Sequence, residues 1–226
     1  GGIRGMPEGL INVNGDNVQT LEVLFLTTVI ALLPSILVMM TSFTRIIISL
    51  SFLRSAIGTQ QNPPNMVLIG IALFLTLFIM NPVLTEIQQN AYEPYRQQAI
   101  TQEQAIERAE VPLKRFMLRQ TEQSSLNMFC DLAQVDAPAS EEEAMALSMR
   151  VVVPSYMTSE LKRAFEIGFF LYIPFMLIDI VVSSTLMSMG MIMLPPAMIS
   201  MPFKLLLFVT VDGWQLLFST LAQGFR

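Results

Sequence analysis

Apolar residues gather in four long stretches along the chain. The first contains no charge between Glu22 and Arg45, and the others lie at 65–82, 167–189 and 197–221. Because about 20 apolar residues are needed to cross the hydrocarbon core of a bilayer, each stretch is long enough for a membrane-type helix. None alternates apolar and polar residues as the strands of an outer-membrane barrel do. The pattern therefore predicts four apolar helices.

Proline and glycine divide these stretches. We expect Pro34 to kink the first, Pro82 to close the second, Pro174 to interrupt the third and Gly213 to interrupt the fourth. The predicted fold class is all-α, with polytopic membrane-type helical hairpins and a small α-helical extracytoplasmic insertion. The predicted sections are a polar N-terminal segment (1–20), a first apolar hairpin (21–84), the polar insertion (85–160) and a second apolar hairpin (161–226).

The insertion has a different composition, with twelve acidic and six basic residues between positions 85 and 160. Helix starts recur in it, because Thr101 with Gln104 and Ser140 with Glu143 have the spacing of a capping box. Two helical faces are predicted there, one formed by Leu113, Phe116 and Met117 and the other by Ala144, Leu147 and Val151. We therefore expect short amphipathic helices and no spanning segment in this section.

Composition narrows the function. Hydrophobic residues make up 53% and charged residues 14% of the 226 residues, with a mean hydropathy of +0.55, which is typical of a membrane protein. The formal net charge of -5 argues against nucleic-acid binding. One cysteine and no histidine exclude an internal disulfide and the usual zinc sites, and they remove the commonest general base. We expect neither an enzyme nor a cofactor.

Six charges stand out because they lie in or beside the apolar stretches. A charge facing lipid costs about 2.5 to 3.5 kcal/mol on insertion scales, so such residues normally face protein or water. Asp179 and Lys204 lie on either side of the turn at Pro195, so a hairpin would bring them together; alternatively, each pairs with another subunit or reaches the interface. Arg45 and Arg54 are interpreted as membrane-surface anchors or intersubunit pairs, which would place their short loop in the cytoplasm and the insertion outside. The remaining two are Glu166 and Asp212.

Methionine recurs at every second position from 187 to 193. A helix would scatter such residues around its circumference, whereas an extended loop would present them on one side, and Gly190 favours the loop. Flexible thioether side chains could close a pore and still yield to a passing polypeptide. They could equally fill gaps between helices, which is their ordinary role.

Several motifs in a fixed order resemble the FliP family, which is shared by flagella and injectisomes. They are PSYMTSELKRAFEIGF (154–169), LYIPF (171–175), DIVVSS (179–184), GMIMLPP (190–196), PFK (202–204), VDGW (211–214), MTSFTRI (40–46) and GTQQNPP (58–64). The resemblance covers residues 21 to 224.

The resemblance implies an export-gate subunit of the flagellar basal body in the bacterial inner membrane. It implies a homo-pentamer that assembles with FliQ and FliR around a conduit for unfolded substrates, joined by FlhB and FlhA, with the insertion on the periplasmic side. It also implies that Met191 and Met193, with Met189, form a methionine gasket that closes the conduit, although Ile192 departs from a turn filled with methionine. The helices could then be held within a protein assembly above the membrane plane.

Three alternatives remain open. The chain could be the equivalent subunit of an injectisome. It could be a small secondary transporter, which intramembrane charges would suit, although no inverted repeat links residues 21–84 to 165–221. An intramembrane enzyme ranks last, because no motif supplies a nucleophile with a base.

Overall fold

The computed structural model describes the backbone of residues 16–225 and, within that range, the side chains of 23–36 and 38–225. Within this range every regular element is helical, as predicted. The helices are α1 (Asp16–Met40), α2 (Phe43–Ile57), α3 (Asn65–Ile87), α4 (Glu93–Arg96), α5 (Gln102–Gln120), α6 (Gln123–Ala133), α7 (Glu141–Ala146), α8 (Met149–Ser188), α9 (Pro196–Thr210) and α10 (Gly213–Gln223), with a π-helical turn (Gln88–Tyr92) between α3 and α4. Residues 1–15 of the predicted N-terminal segment lie outside the described residues.

The chain divides into two units, Gly1–Val38 and Met39–Arg226. In the first unit, α1 runs without a break through Pro34. Its described side chains are almost all exposed, for example Phe25 at 71% and Leu24 at 63%. An apolar helix with such exposure needs lipid or another protein around it.

The second unit contains longer apolar helices than the sequence predicted. Two continuous helices, Asn65–Arg96 and Met149–Ser188, are long and apolar enough to cross a membrane. The bent pair of α9 and α10, with a 61° angle between its halves, could make a third span. The prediction that Pro82 closes a helix is wrong, and so is the interruption at Pro174, since α3 and α8 continue through them. Proline removes only a local hydrogen bond, and apolar helices packed together tolerate that loss.

The segment predicted as a short loop with two arginines is helix α2. Its residues Ile46, Leu50, Leu53 and Ile57 are buried, at the three- and four-residue spacing of one helical face. This face forms the main core with residues of α3, α8, α9 and α10. The core therefore joins α2 and α3 to the helices of the second predicted hairpin.

Between residues 102 and 146 the insertion folds as separate helices of 19, 11 and 6 residues, in line with the expectation of short helices there. Thr101 and Gln104 form a complete capping box at the start of α5, whereas Ser140 caps α7 and the Glu143 carboxylate accepts from Ala139 N–H instead. The face predicted from Ala144, Leu147 and Val151 is wrong, because Leu147 ends α7 in an extended conformation and Val151 belongs to α8.

Two predicted section boundaries fall inside continuous helices. Residue 84 lies within α3, which ends at Ile87, and Glu160 lies within the first third of α8. The four sections therefore remain a prediction based on composition.

Candidate functional site

The methionine-rich segment is a turn between α8 and α9. α8 ends in a Schellman motif: Gly190 N–H donates to Met187 O at 3.1 Å, and Met191 N–H donates to Leu186 O at 2.9 Å. Gly190 has φ +75°, a conformation that glycine adopts without strain. The turn therefore reverses tightly at Gly190 and does not form the extended loop expected from the spacing, because Met187 still belongs to α8.

The three predicted gate residues lie together in this turn and are exposed. The exposed fractions are 61% for Met189, 41% for Met191 and 98% for Met193. Ile192, at 82%, adds to the same apolar surface. The turn thus presents a soft apolar tip at one end of the α8–α9 hairpin.

An ion pair joins the two helices behind the tip. Lys204 Nζ lies 2.7 Å from Asp179 Oδ2, and Ser200 Oγ donates to Asp179 Oδ1 at 2.6 Å. The intrachain pairing, one of the two readings of the sequence, is confirmed. Asp179 lies nine residues before Ser188, the last residue of α8, and Lys204 lies eight residues after Pro196, the first residue of α9. The two residues are therefore at nearly equal distances from the turn that joins the helices.

A second polar cluster is centred on Arg45, whose side chain is 3% exposed. Its Nε donates to Glu160 Oε2 at 2.8 Å, and its Nη2 contacts the other oxygen of this fully buried carboxylate. Its Nη2 also donates to Gln120 Oε1 at 3.2 Å and its Nη1 to Gly224 O at 3.1 Å. The guanidinium carbon lies 3.7 Å from the centre of the Phe225 ring. This site satisfies the fork geometry of arginine.

The position of Arg45 corrects the charge-based topology. A buried arginine bonded to Gln120 of the insertion is not a membrane-surface anchor at the opposite end from that insertion. Arg45 and Arg54 lie on one helix, nine residues apart, so they do not belong to one short loop. The charge-bias argument therefore does not orient the chain.

Comparisons with known proteins complete the description of this site. A sequence model of the FliP family matches residues 26–221. The chain belongs to the FliP family. Three relatives are each named flagellar biosynthetic protein FliP. That of Pectobacterium carotovorum subsp. carotovorum is 54% identical over 214 residues, covering 94% of this chain and 82% of the relative. That of Bacillus subtilis (strain 168) is 50% identical over 207 residues, covering 92% of each chain. That of Aquifex aeolicus (strain VF5) is 46% identical over 212 residues, covering 94% and 88%.

The three other predicted charges of this FliP-family chain do not come together. Glu166 lies 4.0 Å from Lys162 Nζ, and both side chains are more than half exposed. Arg54 donates to Asn65 Oδ1 at 2.6 Å and to Pro63 O at 3.1 Å. Asp212 lies at the break between α9 and α10 with φ +50°.

Sequence reasoning missed the partners of Arg45. Glu160 stands at the edge of an acidic section, where a carboxylate is ordinary, and it is 115 positions from Arg45. A pattern did point to it: Val152, Tyr156, Glu160 and Ala164 recur at every fourth position and are all fully buried. A carboxylate on such a face requires a partner.

Proposed function

We propose that this chain is a core subunit of the flagellar protein export gate in the bacterial inner membrane. In this role it forms part of the conduit that passes unfolded substrates, and it acts without catalysing a reaction. Membership of the FliP family and relatives named as flagellar biosynthetic proteins support the flagellar system. The helices long enough to span a membrane support the location.

The exposed methionine turn carries the proposal of a gate. Met191 and Met193, with Met189 beside them, would meet their counterparts from other subunits across the conduit. Thioether side chains are unbranched and polarizable, so they fill an irregular gap closely and rearrange when a chain passes. The Schellman motif and the Asp179–Lys204 pair support this role, because they fix the base of the turn while its tip stays free.

Exposed apolar surface supports an assembly of many subunits. Phe74 and Phe78 of α3 are 76% and 66% exposed, and Phe169 and Phe170 of α8 are 62% and 67% exposed. Apolar surface of this extent marks a contact with protein or lipid. The proposed partners are further copies of the chain, as a pentamer, together with FliQ, FliR, FlhB and FlhA. The proposed cargo is unfolded export substrate.

We also propose that the insertion faces the periplasm. The family resemblance supports this side. The charge bias does not indicate an orientation, because Arg45 is buried. An Asp136→Cys variant tests it, because this exposed loop residue should react with a membrane-impermeant maleimide in intact spheroplasts. Labelling only after the cells are opened would place the insertion in the cytoplasm.

The gate is tested by replacing Met191 and Met193 together with alanine. The expected result is leakage of small ions across the inner membrane of cells that express the assembled complex, because the seal loses two flexible side chains. Met128→Ala is the matched control, since Met128 is also exposed, at 43%, but lies in the insertion. Unchanged permeability in the double variant, with assembly intact, would reject the gasket.

The injectisome is the alternative setting for the same role. The flagellar names of the relatives favour the flagellum. Restored swimming in a flagellate strain lacking its own FliP protein would support the flagellar assignment, whereas rescue of injectisome secretion alone would reverse it. A secondary transporter is a weaker candidate, and it requires substrate counterflow in vesicles that contain this chain alone.

A further inference from the structure

Two charges in the apolar part of the chain lack an opposite charge within the described residues. Arg54 donates only to neutral acceptors, the Asn65 side chain and the Pro63 carbonyl. The exposed Asp212 carboxylate has no hydrogen bond or ion pair in the described range. Since charges among apolar helices normally pair or face water, these two side chains remain to be explained.

Asp212 is held in a fixed position. It occupies the break between α9 and α10 with φ +50° and ψ +49°, a left-handed conformation in which aspartate is less disfavoured than most residues. The next residue, Gly213, is buried, and a Cβ atom added there would lie 2.1 Å from the Phe208 ring. That ring packs edge-to-face on Trp214 at 5.2 Å. The break is therefore locked by close packing, and it presents the carboxylate outward.

Two contacts set the relative heights of α2 and the α9–α10 pair. At one end Arg45 Nη1 donates to Gly224 O. At the other end Lys204 Nζ lies 4.0 Å from the position of a Cβ atom built on Gly58. α2 runs from Arg45 towards Gly58, whereas α9 and α10 run from Lys204 towards Gly224, so the two are antiparallel.

Both charges lie on the stretches between these two fixed points. Arg54 lies between Arg45 and Gly58, four residues before Gly58, and Asp212 lies between Lys204 and Gly224, eight residues after Lys204. The two side chains are not bonded to each other within one chain, which leaves both available to a neighbouring copy.

We propose that Arg54 of one copy pairs with Asp212 of the next in the homo-oligomer. This inference rests on the proposed function, which supplies the ring of identical copies. Different surfaces of each copy would meet, which is the head-to-tail contact that closes into a ring. The same contact would cover apolar residues beside the carboxylate, since Val209 is 71% exposed and Leu216 is 59% exposed.

Charge reversal tests the pair in the full-length chain expressed with its gate partners. Arg54→Glu and Asp212→Arg should each lower the yield of purified oligomer about tenfold or more, because each places like charges opposite each other in an apolar contact. The double variant should recover to within about threefold of the original yield. Asp136→Arg is the control, because this exposed acid lies in the insertion, so its reversal should neither lower the yield nor rescue Arg54→Glu. Lack of recovery in the double variant overturns the pairing when cross-linking also fails.

Cross-linking tests proximity in folded assemblies. Arg54→Cys and Asp212→Cys are placed in separately tagged copies, and the fully buried Cys130 is left in place. A short bis-maleimide should give a mixed dimer only when both copies are present, and pairing Arg54→Cys with Asp136→Cys should give none. An intact ring by native mass spectrometry without this mixed dimer overturns the pairing and leaves the proposed function standing. A chain that forms no oligomer overturns both.

Discussion

Replacing Arg45 with alanine is the sharpest test of how the second unit is held together. The change would leave the Glu160 carboxylate, which is fully buried, without its cation. It would also remove the donor to the Gly224 carbonyl and one of two donors to Gln120 Oε1, the other being Arg163. Removing one partner of a buried ion pair costs about 3 to 5 kcal/mol, mainly because the other charge stays buried and unpaired.

The loss should be measured as a shift in thermal unfolding in detergent micelles. For a chain of this size, 1 kcal/mol shifts Tm by about 2 to 4 °C, so Arg45→Ala should lower Tm by about 6 to 20 °C. Arg115→Ala is the matched control, because the Arg115–Glu86 pair is 37% and 36% exposed. Such a half-exposed pair contributes about 0 to 1 kcal/mol, so its loss should shift Tm by no more than about 4 °C.

Two further variants separate charge burial from general damage. Replacing Arg45 and Glu160 together with methionine should recover most of the lost stability, because buried apolar residues of similar volume substitute well for an ion pair. Arg45→Lys should recover little, since one ammonium cannot donate to Glu160, Gln120 and Gly224 in the fork geometry. If Arg45→Ala lowers Tm no more than Arg115→Ala does, the reasoning is refuted.

Three further predictions concern the hairpin and the cysteine. Asp179→Lys and Lys204→Asp should each impair assembly, and the two changes together should restore it, as measured by co-purification of the complex. An unassembled double variant would show that pairing of the two charges does not account for the loss of assembly. Gly190→Ala should destabilise the fold by about 1 kcal/mol because the φ of Gly190 is +75°. Gly70→Ala should stabilise the fold by about 0.5 to 1 kcal/mol, since no atom lies within 4 Å of the Cβ added at either position. Equal effects of the two variants on the free energy of unfolding would contradict the role of φ. Burial raises the pKa of the Cys130 thiol, so maleimide should label it only after denaturation, and rapid labelling of folded protein would show an open α6.

The sequence predicted most of the long apolar helices, but it missed α2 and predicted helix ends poorly. Long apolar stretches identify α3, α8, α9 and α10, because burial or lipid contact leaves a strong compositional pattern. Pro82 and Pro174 were expected to end or interrupt helices, yet both lie inside them. The local cost of proline is real, but packing of the surrounding turns outweighs it, and a single sequence does not reveal that packing.

Predictions of pairing succeeded where the chain itself limits the geometry. A hairpin at one turn made the contact of Asp179 with Lys204 one of two readings of the sequence, and the structure shows that their distances from that turn match. Arg45 and Glu160 are joined by tertiary packing across 115 positions, and no local pattern links them. For Met193 the prediction was partly successful. Its place in a turn was predictable from the sequence, but the Schellman motif that sets the direction of the turn depends on the φ of Gly190.

The two polar clusters explain how one hairpin can be both rigid and compliant. The Arg45 cluster ties the end of α10 to α2 and α8, and the Asp179–Lys204 pair ties α9 to α8. That pair lies about 13 Å below the turn, at 1.5 Å per residue for the nine residues from Asp179 to Ser188. On the proposed function, the methionine tip would therefore deform without breaking the ion pair or the core beneath it. On the proposed function, the gate can open for a polypeptide by rearranging flexible thioethers, while the helices that bind neighbouring subunits keep their positions.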